Sequence, residues 1–312
     1  MRVAAIQMTA KLGAVEENCE AAERLVIEAI GEGAELVILP EFFTTSAGFH
    51  PSMLDAARPI DGEPFQLLCR LASERGAIVG GSFIAEHAEK TLNTFVLAFP
   101  DGSTHTHDKD LPTMWENCYY EPGSDDGVLE TSAGKIGVAM CWELVRTQTV
   151  RRLRGRIEFV VGGSCWWDLP YGSDSLDLET AREMNVALYE KTPPTFARLL
   201  RVPFVHAAHT GDFEGLTPGV EDLPYRSRWL GRAQVVDGHG KILTCADQTD
   251  GEAIVVADIT PGQVEASELE IPETFWLHEM PAAALAAWES QNAFGRKYYE
   301  EVTKPHRRGL IP

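Results

Sequence analysis

The chain has 312 residues, 44% hydrophobic and 24% charged, a composition that excludes disorder as the main state and any collagen-like or mucin-like fibre. Acidic residues outnumber basic ones 47 to 27. The net charge of −20 would repel a phosphate backbone, so no nucleic-acid partner is expected.

The first residues, Met1–Met8, read directly as a strand and carry no signal-peptide pattern. No stretch reaches the ~18 apolar residues of a membrane helix, so a cytoplasmic protein without membrane contact is expected. From Glu16 to Ile30, Ala22, Leu25, Val26, Ala29 and Ile30 recur at helical spacing before Gly31 and Gly33. The apolar run Leu36–Leu39 precedes Pro40 and has the pattern of a strand buried on both faces. Pro64–Arg75 reads as a second helix stopped by Gly76, followed by strands at Ala77–Ile84 and Leu92–Phe99 and a turn at Pro100–Ser103.

The second half repeats this order. Lys135–Met140 and Ile157–Val161 read as strands on either side of a helix rich in arginine. The run Arg151, Arg152, Arg154, Arg156 is read as a solvated helix face. Ser164–Pro194 loses clear periodicity and reads as an elaborated loop containing Trp166, Trp167, Pro170 and Gly172, with a helix around Glu179–Tyr189. Strands follow at Pro203–Ala208, Gly231–Val236, Lys241–Thr244 and Glu252–Ile259, with a hairpin turn at Asp237–Gly240. The pattern implies one α/β domain over residues 1–270 and a C-terminal extension over 271–312. Pro281, Pro305 and Pro312 give that extension the look of an arm at a subunit interface.

Three reactive side chains stand just after strand segments: Glu41 after Leu36–Pro40, Lys109 after Thr104–Asp108, and Cys141 after Ile136–Met140. Open α/β sheets bind ligands where strands end. A thiol becomes a strong nucleophile on losing its proton, a carboxylate can take that proton, and a lysine can hold an oxyanion. Each residue alone has a plain reading, the cysteine as a buried hydrophobe and the other two as solvated loop residues. No G-x-S-x-G, phosphate-binding loop or H-E-x-x-H occurs. The six cysteines, Cys19, Cys69, Cys118, Cys141, Cys165 and Cys245, show no C-x-x-C, so neither a zinc ribbon nor a disulfide scaffold is expected. Cys118 and Cys165 lie near the candidate site in sequence but are read as lacking the strand-end context of Cys141.

In these segments the sequence resembles the nitrilase superfamily of thiol carbon–nitrogen hydrolases. The matching motifs are Leu39-Pro40-Glu41-Phe42, Lys109-Asp110-Leu111-Pro112-Thr113-Met114-Trp115-Glu116 with Tyr120-Glu121-Pro122-Gly123, and Gly137-Val138-Ala139-Met140-Cys141-Trp142-Glu143. A weaker match spans Gly231–Asp237, and the likeness extends over about residues 1 to 260. The resemblance implies a four-layer α-β-β-α sandwich of two related halves, no metal or organic cofactor, and a homodimer or larger homo-oligomer. It implies Glu41 as general base, Lys109 as oxyanion stabiliser, Cys141 as nucleophile and Glu116 as accessory glutamate. The Trp142 N–H would complete the oxyanion hole.

Trp166 is the candidate substrate contact, in the segment where the family places a pocket wall. Trp142 joins it as a candidate, beside the nucleophile. With Trp115, Tyr119, Tyr120 and Trp167, these residues suggest a pocket for a small or medium neutral group, partly aromatic or apolar. The segment His206–Gly211 departs from the family pattern, and His206 and His209 are read as buried, hydrogen-bonded histidines. The expected reaction is cleavage of a small amide through a thioester on Cys141. Lys-x-x-Pro-Thr-x-x-Glu and Cys-Trp-Glu look closest to the true nitrilase branch, so a nitrile is the alternative substrate, and a carbamoyl compound the second alternative.

Overall fold

The computed structural model describes residues 1–88, 90–171, 176–267 and 269–311. Gly172 and Pro312, singled out in the sequence, lie outside them. β1 (Arg2–Met8) leads into α1 (Val15–Gly31), which buries Ala22, Leu25, Val26 and Ala29 on one face. β2 (Leu36–Ile38), β3 (Arg58–Pro59) and α2 (Glu63–Arg75) follow; Gly76 closes α2 at a left-handed φ of 70°. β4 (Ile78–Glu86), β5 (Thr91–Ala98) and β6 (Thr104–Asp108) pair antiparallel in succession.

The second half contains β7 (Val128–Thr131), β8 (Gly134–Val138), α3 (Thr147–Leu153), β9 (Phe159–Ser164), α4 (Leu176–Leu200) and β10 (Phe204–Leu216). The remaining elements are β11 (Pro224–Leu230), β12 (Gln234–Val236), β13 (Ile242–Cys245), β14 (Ala253–Asp258) and α5 (Ala282–Tyr298).

The main strand path runs β6-β5-β4-β2-β1-β10-β9-β8-β7 and is related to itself about the β1–β10 pair. On one side β1, β2 and β4 are parallel and β5 is antiparallel; on the other β10, β9 and β8 are parallel and β7 is antiparallel. Alternation along the strands sets the layers. Ala4, Ile6 and Met8 face α1 and α2, whereas Val3 and Ala5 face the other way. The inner core joins Val3, Leu36, Ile38 and Phe95 to Ile136, Phe159, Val161 and Val205 of the second half. Beyond it, Val160 and Phe204 pack with α3 and α4 through Val150, Leu153, Phe196 and Leu200. Helices, two sheet layers and helices form the α-β-β-α sandwich.

Three segments differ from the sequence reading. The helix read around Glu179–Tyr189 runs on to Leu200, through Pro193 and Pro194. Each interior proline costs about 3 kcal/mol. Burial of Phe196, Ala197, Leu199 and Leu200 beyond them offsets that. β10 extends well past Ala208, because its second half pairs antiparallel with β11 and stacks Phe213 on Trp229 at 4.1 Å. The arginine run is not a uniformly solvated face. Arg152 is 18% exposed and reaches Glu143 and Asp110, because buried carboxylates draw a counter-charge inward.

The C-terminal extension packs on its own chain. Asn292 of α5 accepts from Met114 N–H at 2.7 Å and from Asn117 Nδ2 at 2.8 Å. Ahead of α5, Thr147 N–H donates to Phe275 O at 3.0 Å and Leu277 N–H to Val145 O at 2.6 Å.

Candidate active site

Strand ends deliver the reactive groups. β2 ends just before Glu41, β6 ends at the residue before Lys109, and β8 is followed by the 3-10 turn Cys141–Val145. Glu116 lies in a second 3-10 turn, Met114–Cys118, whose Thr113 N–H donates to Glu116 Oε2 at 3.0 Å. The turns are tight. Phe42 and Cys141 adopt left-handed φ values of 53° and 48°, at a cost of roughly 1–2 kcal/mol each for non-glycine residues.

Lys109 Nζ donates to Glu41 Oε1 at 2.8 Å and to Glu116 Oε2 at 2.7 Å. The thiol of Cys141 belongs to the same cluster. One donor atom each from Glu41, Glu116 and Cys141 lie within 4.8 Å of one another. Such a set could hold a metal ion, but the ammonium already sits between the carboxylates and supplies the cation there. Glu41, Lys109 and Cys141 are fully or almost fully buried.

Around them, Asn93 Nδ2 donates to Glu41 Oε1 at 2.9 Å and the Cys165 N–H to Glu41 Oε2 at 3.2 Å. His209 Nε2 lies 2.7 Å from the Glu41 carbonyl oxygen, and the Tyr120 hydroxyl donates to Glu116 Oε2. Glu116 Oε1 is buried without a hydrogen-bond partner.

Burial shapes the protonation. It pushes Glu41 up to about 7, because Lys109 only partly compensates the lost water and Glu116 adds repulsion. Burial also pushes the Cys141 thiol well up, and the neighbouring Glu41 carboxylate adds to the shift. Burial opposes the charge on Lys109, yet Glu116 and then Glu41 hold its pKa well above the usual lysine range. The site at neutral pH therefore contains an ammonium, a neutral thiol and a glutamate near its titration midpoint.

The other sequence candidates divide. Trp142 and Trp166 share an apolar cluster with Cys141, Tyr189 and Met280, their rings 5.9 Å apart. Trp115 and Trp167 stack at 4.2 Å in the core beneath α1 and α2, and the Tyr119 hydroxyl meets the backbone of His50. Those three do not join the cluster at Cys141, because their segments turn toward the first-half core. His206 is buried with Nε2 2.8 Å from Ser164 Oγ. Burial lowers the pKa of His206 to about 3 and of His209 to about 4, so both are neutral.

Cys165 corrects the sequence reading, for it follows directly on β9 and its backbone touches Glu41. Asn93 was missed. It lies in the first half of β5, between Thr91 and Thr94, where a polar residue carries no distinguishing signal.

Residues 2–182 match the carbon–nitrogen hydrolase family. An omega-amidase from Danio rerio is 34% identical over 157 residues, 46% of this chain and 55% of that protein. The matched region thus spans about half of that relative's length. A nitrilase from Pyrococcus abyssi is 25% identical over 264 residues, covering 83% of this chain and 89% of that one. Among solved structures, an amidase from Nesterenkonia sp. AN1, with acrylamide added to its active-site cysteine, superposes with a TM-score of 0.65. It is 20% identical and covers 83% of this chain and 93% of its own, a likeness of fold. With the sandwich in place and more than half of its length matched, the chain belongs to the carbon–nitrogen hydrolase family.

Proposed function

We propose that the protein hydrolyses the carbon–nitrogen bond of a small neutral amide through a thioester on Cys141. The observation that carries this reading is the convergence of Glu41, Lys109 and Cys141 in one buried cluster. Glu41 takes the thiol proton as Sγ attacks the carbonyl carbon. The carbonyl electron pair moves to oxygen, which Lys109 stabilises with the ammonium proton not committed to Glu41 or Glu116. The tetrahedral intermediate collapses, Glu41 passes its proton to the departing nitrogen, and ammonia leaves. Glu41 then deprotonates water, which attacks the thioester. The C–S bond breaks, the acid departs and the thiol regains its proton. A base near 7 suits both directions of this transfer.

Glu116 Oε1 supports an amide over a nitrile. A buried, unpartnered carboxylate oxygen can accept an amide N–H, and a nitrile has none to give. Trp142, Trp166 and Tyr189 support an apolar or aryl group on the acyl side. A nitrile is the second reading, supported by the likeness to the Pyrococcus nitrilase over 83% of this chain. Carbamoyl compounds come third. Association into a homodimer or larger assembly belongs to the same proposal, supported by exposed Leu310 and Ile311 near the end of the extension.

Matched amide and nitrile pairs bearing one aryl or alkyl group, with ammonia as readout, test the choice. The amide should turn over and Glu116→Gln should lower its kcat by about 10²-fold or more. Nitrile turnover with an inert amide would install the second reading.

A further inference from the structure

Six charged groups behind the reaction centre take no part in the chemistry above. Glu143, fully buried two residues after Cys141, accepts from Arg152 Nη2 at 2.6 Å, from Met140 N–H at 2.9 Å and from Asp110 N–H at 3.2 Å. His107 Nε2 lies 3.3 Å from both Glu143 oxygens, and its Nδ1 bonds Asp125 at 2.5 Å. Arg152 Nη1 donates to Asp110 Oδ2 at 2.7 Å, and Arg146 donates to the other Asp110 oxygen. Burial alone would drive the proton off His107, but Glu143 and then Asp125 reverse that and carry its pKa up to about 10. Three cations thus face three carboxylates.

Their placement matters more than their sum. His107 and Asp110 bracket Lys109, while Met140 and Glu143 bracket Cys141. β6 and β8 stand near opposite ends of the strand path, so among the described residues no β ladder fixes the lysine loop against the cysteine turn. The ion network spans that gap. It also holds Met140 N–H, immediately before the left-handed Cys141. Buried ion pairs contribute little net stability, because desolvation offsets their attraction. Holding two loops in register is a use independent of net stability.

We propose that Glu143, with His107, Arg152 and Asp110, is a positioning network that sets Lys109 against Cys141. This rests on the reading of those two residues as one reaction centre. Misplacement by about 1 Å costs on the order of 10²-fold in rate.

The test compares Arg152→Lys and Glu143→Gln with Lys135→Gln, which breaks only the exposed pair with Glu130. Melting temperature, kcat, KM and the rate of Cys141 alkylation by iodoacetamide are measured for each. Arg152→Lys keeps the charge at a partly exposed position and decides the matter if Glu143→Gln does not fold. The expected result is a folded Arg152→Lys with kcat lowered about 10- to 100-fold, KM within about twofold, and slower Cys141 alkylation. Lys135→Gln should match the wild type. Unchanged kcat per folded molecule and unchanged alkylation, even with a lower melting temperature, would overturn the proposal. Alkylation needs no substrate: a wild type inert to every amide would sink the amide reading alone, while slowed alkylation in Arg152→Lys would still support the network.

Discussion

Two buried carboxylates share one ammonium at the centre of this protein. Glu41 and Glu116 both bond Lys109 Nζ, which leaves one surplus negative charge away from water. Burial answers by keeping a proton on Glu41 up to about pH 7 and on the Cys141 thiol beyond it. Glu41 accepts a proton only when ionised. The expected kcat/KM therefore rises with pH below about 7 and levels above it. A pH series on the best substrate checks this. An acid limb at the ordinary glutamate value near 4.5 would mean that Glu41 is not the base in a buried site.

At the scale of elements, strand ends and close backbone contacts hold these groups. β9 passes so near the Glu41 turn that a Cβ on Gly163 would lie 2.9 Å from Glu41 N and from Pro40 Cα. Backbone cannot give way as a flexible side chain can. Gly163→Ala should lower stability by about 1–3 kcal/mol and displace Glu41, so that kcat falls as well. Urea unfolding and steady-state kinetics check both, and a neutral effect on each would contradict the packing. The extension reaches both reactive loops, through Asn292 at Met114 and Asn117 and through Phe275 and Leu277 at the turn after Cys141. We therefore expect a chain ending at residue 270 to melt earlier and to lose most of its turnover. Scanning calorimetry with an ammonia assay reads that, and full turnover would show the extension to be dispensable to its own site.

The same elements show what a sequence can reveal. Glu41, Lys109 and Cys141 were legible because each follows a strand segment inside a short motif like those of the family, a local pattern. The site's neighbours came from distant contacts. Cys165 N–H, Asn93 and His209 meet Glu41 from β9, β5 and β10, and no local spacing links them. The run of α4 through two prolines, the long β10–β11 ribbon and the inward turn of Arg152 likewise depend on partners far away in the chain.

For the whole molecule, the sandwich matters because it closes two halves on each other and brings the end of β2 to the ends of β6 and β8. None of the helices among the described residues is long and apolar enough to cross a membrane. The net charge of −20 disfavours long-range capture of anions, which agrees with a neutral substrate. Everything proposed for the reaction depends on a covalent bond to one sulfur. Peptide-mapped mass spectrometry of enzyme quenched in acid during turnover of an aryl amide reads that bond directly. The expected result is the acyl group on the peptide containing Cys141 and on no other cysteine peptide, with neither adduct nor ammonia release in Cys141→Ala. Ammonia release without an adduct, continuing within about tenfold of the wild-type rate in Cys141→Ala, would contradict a cysteine nucleophile at this site.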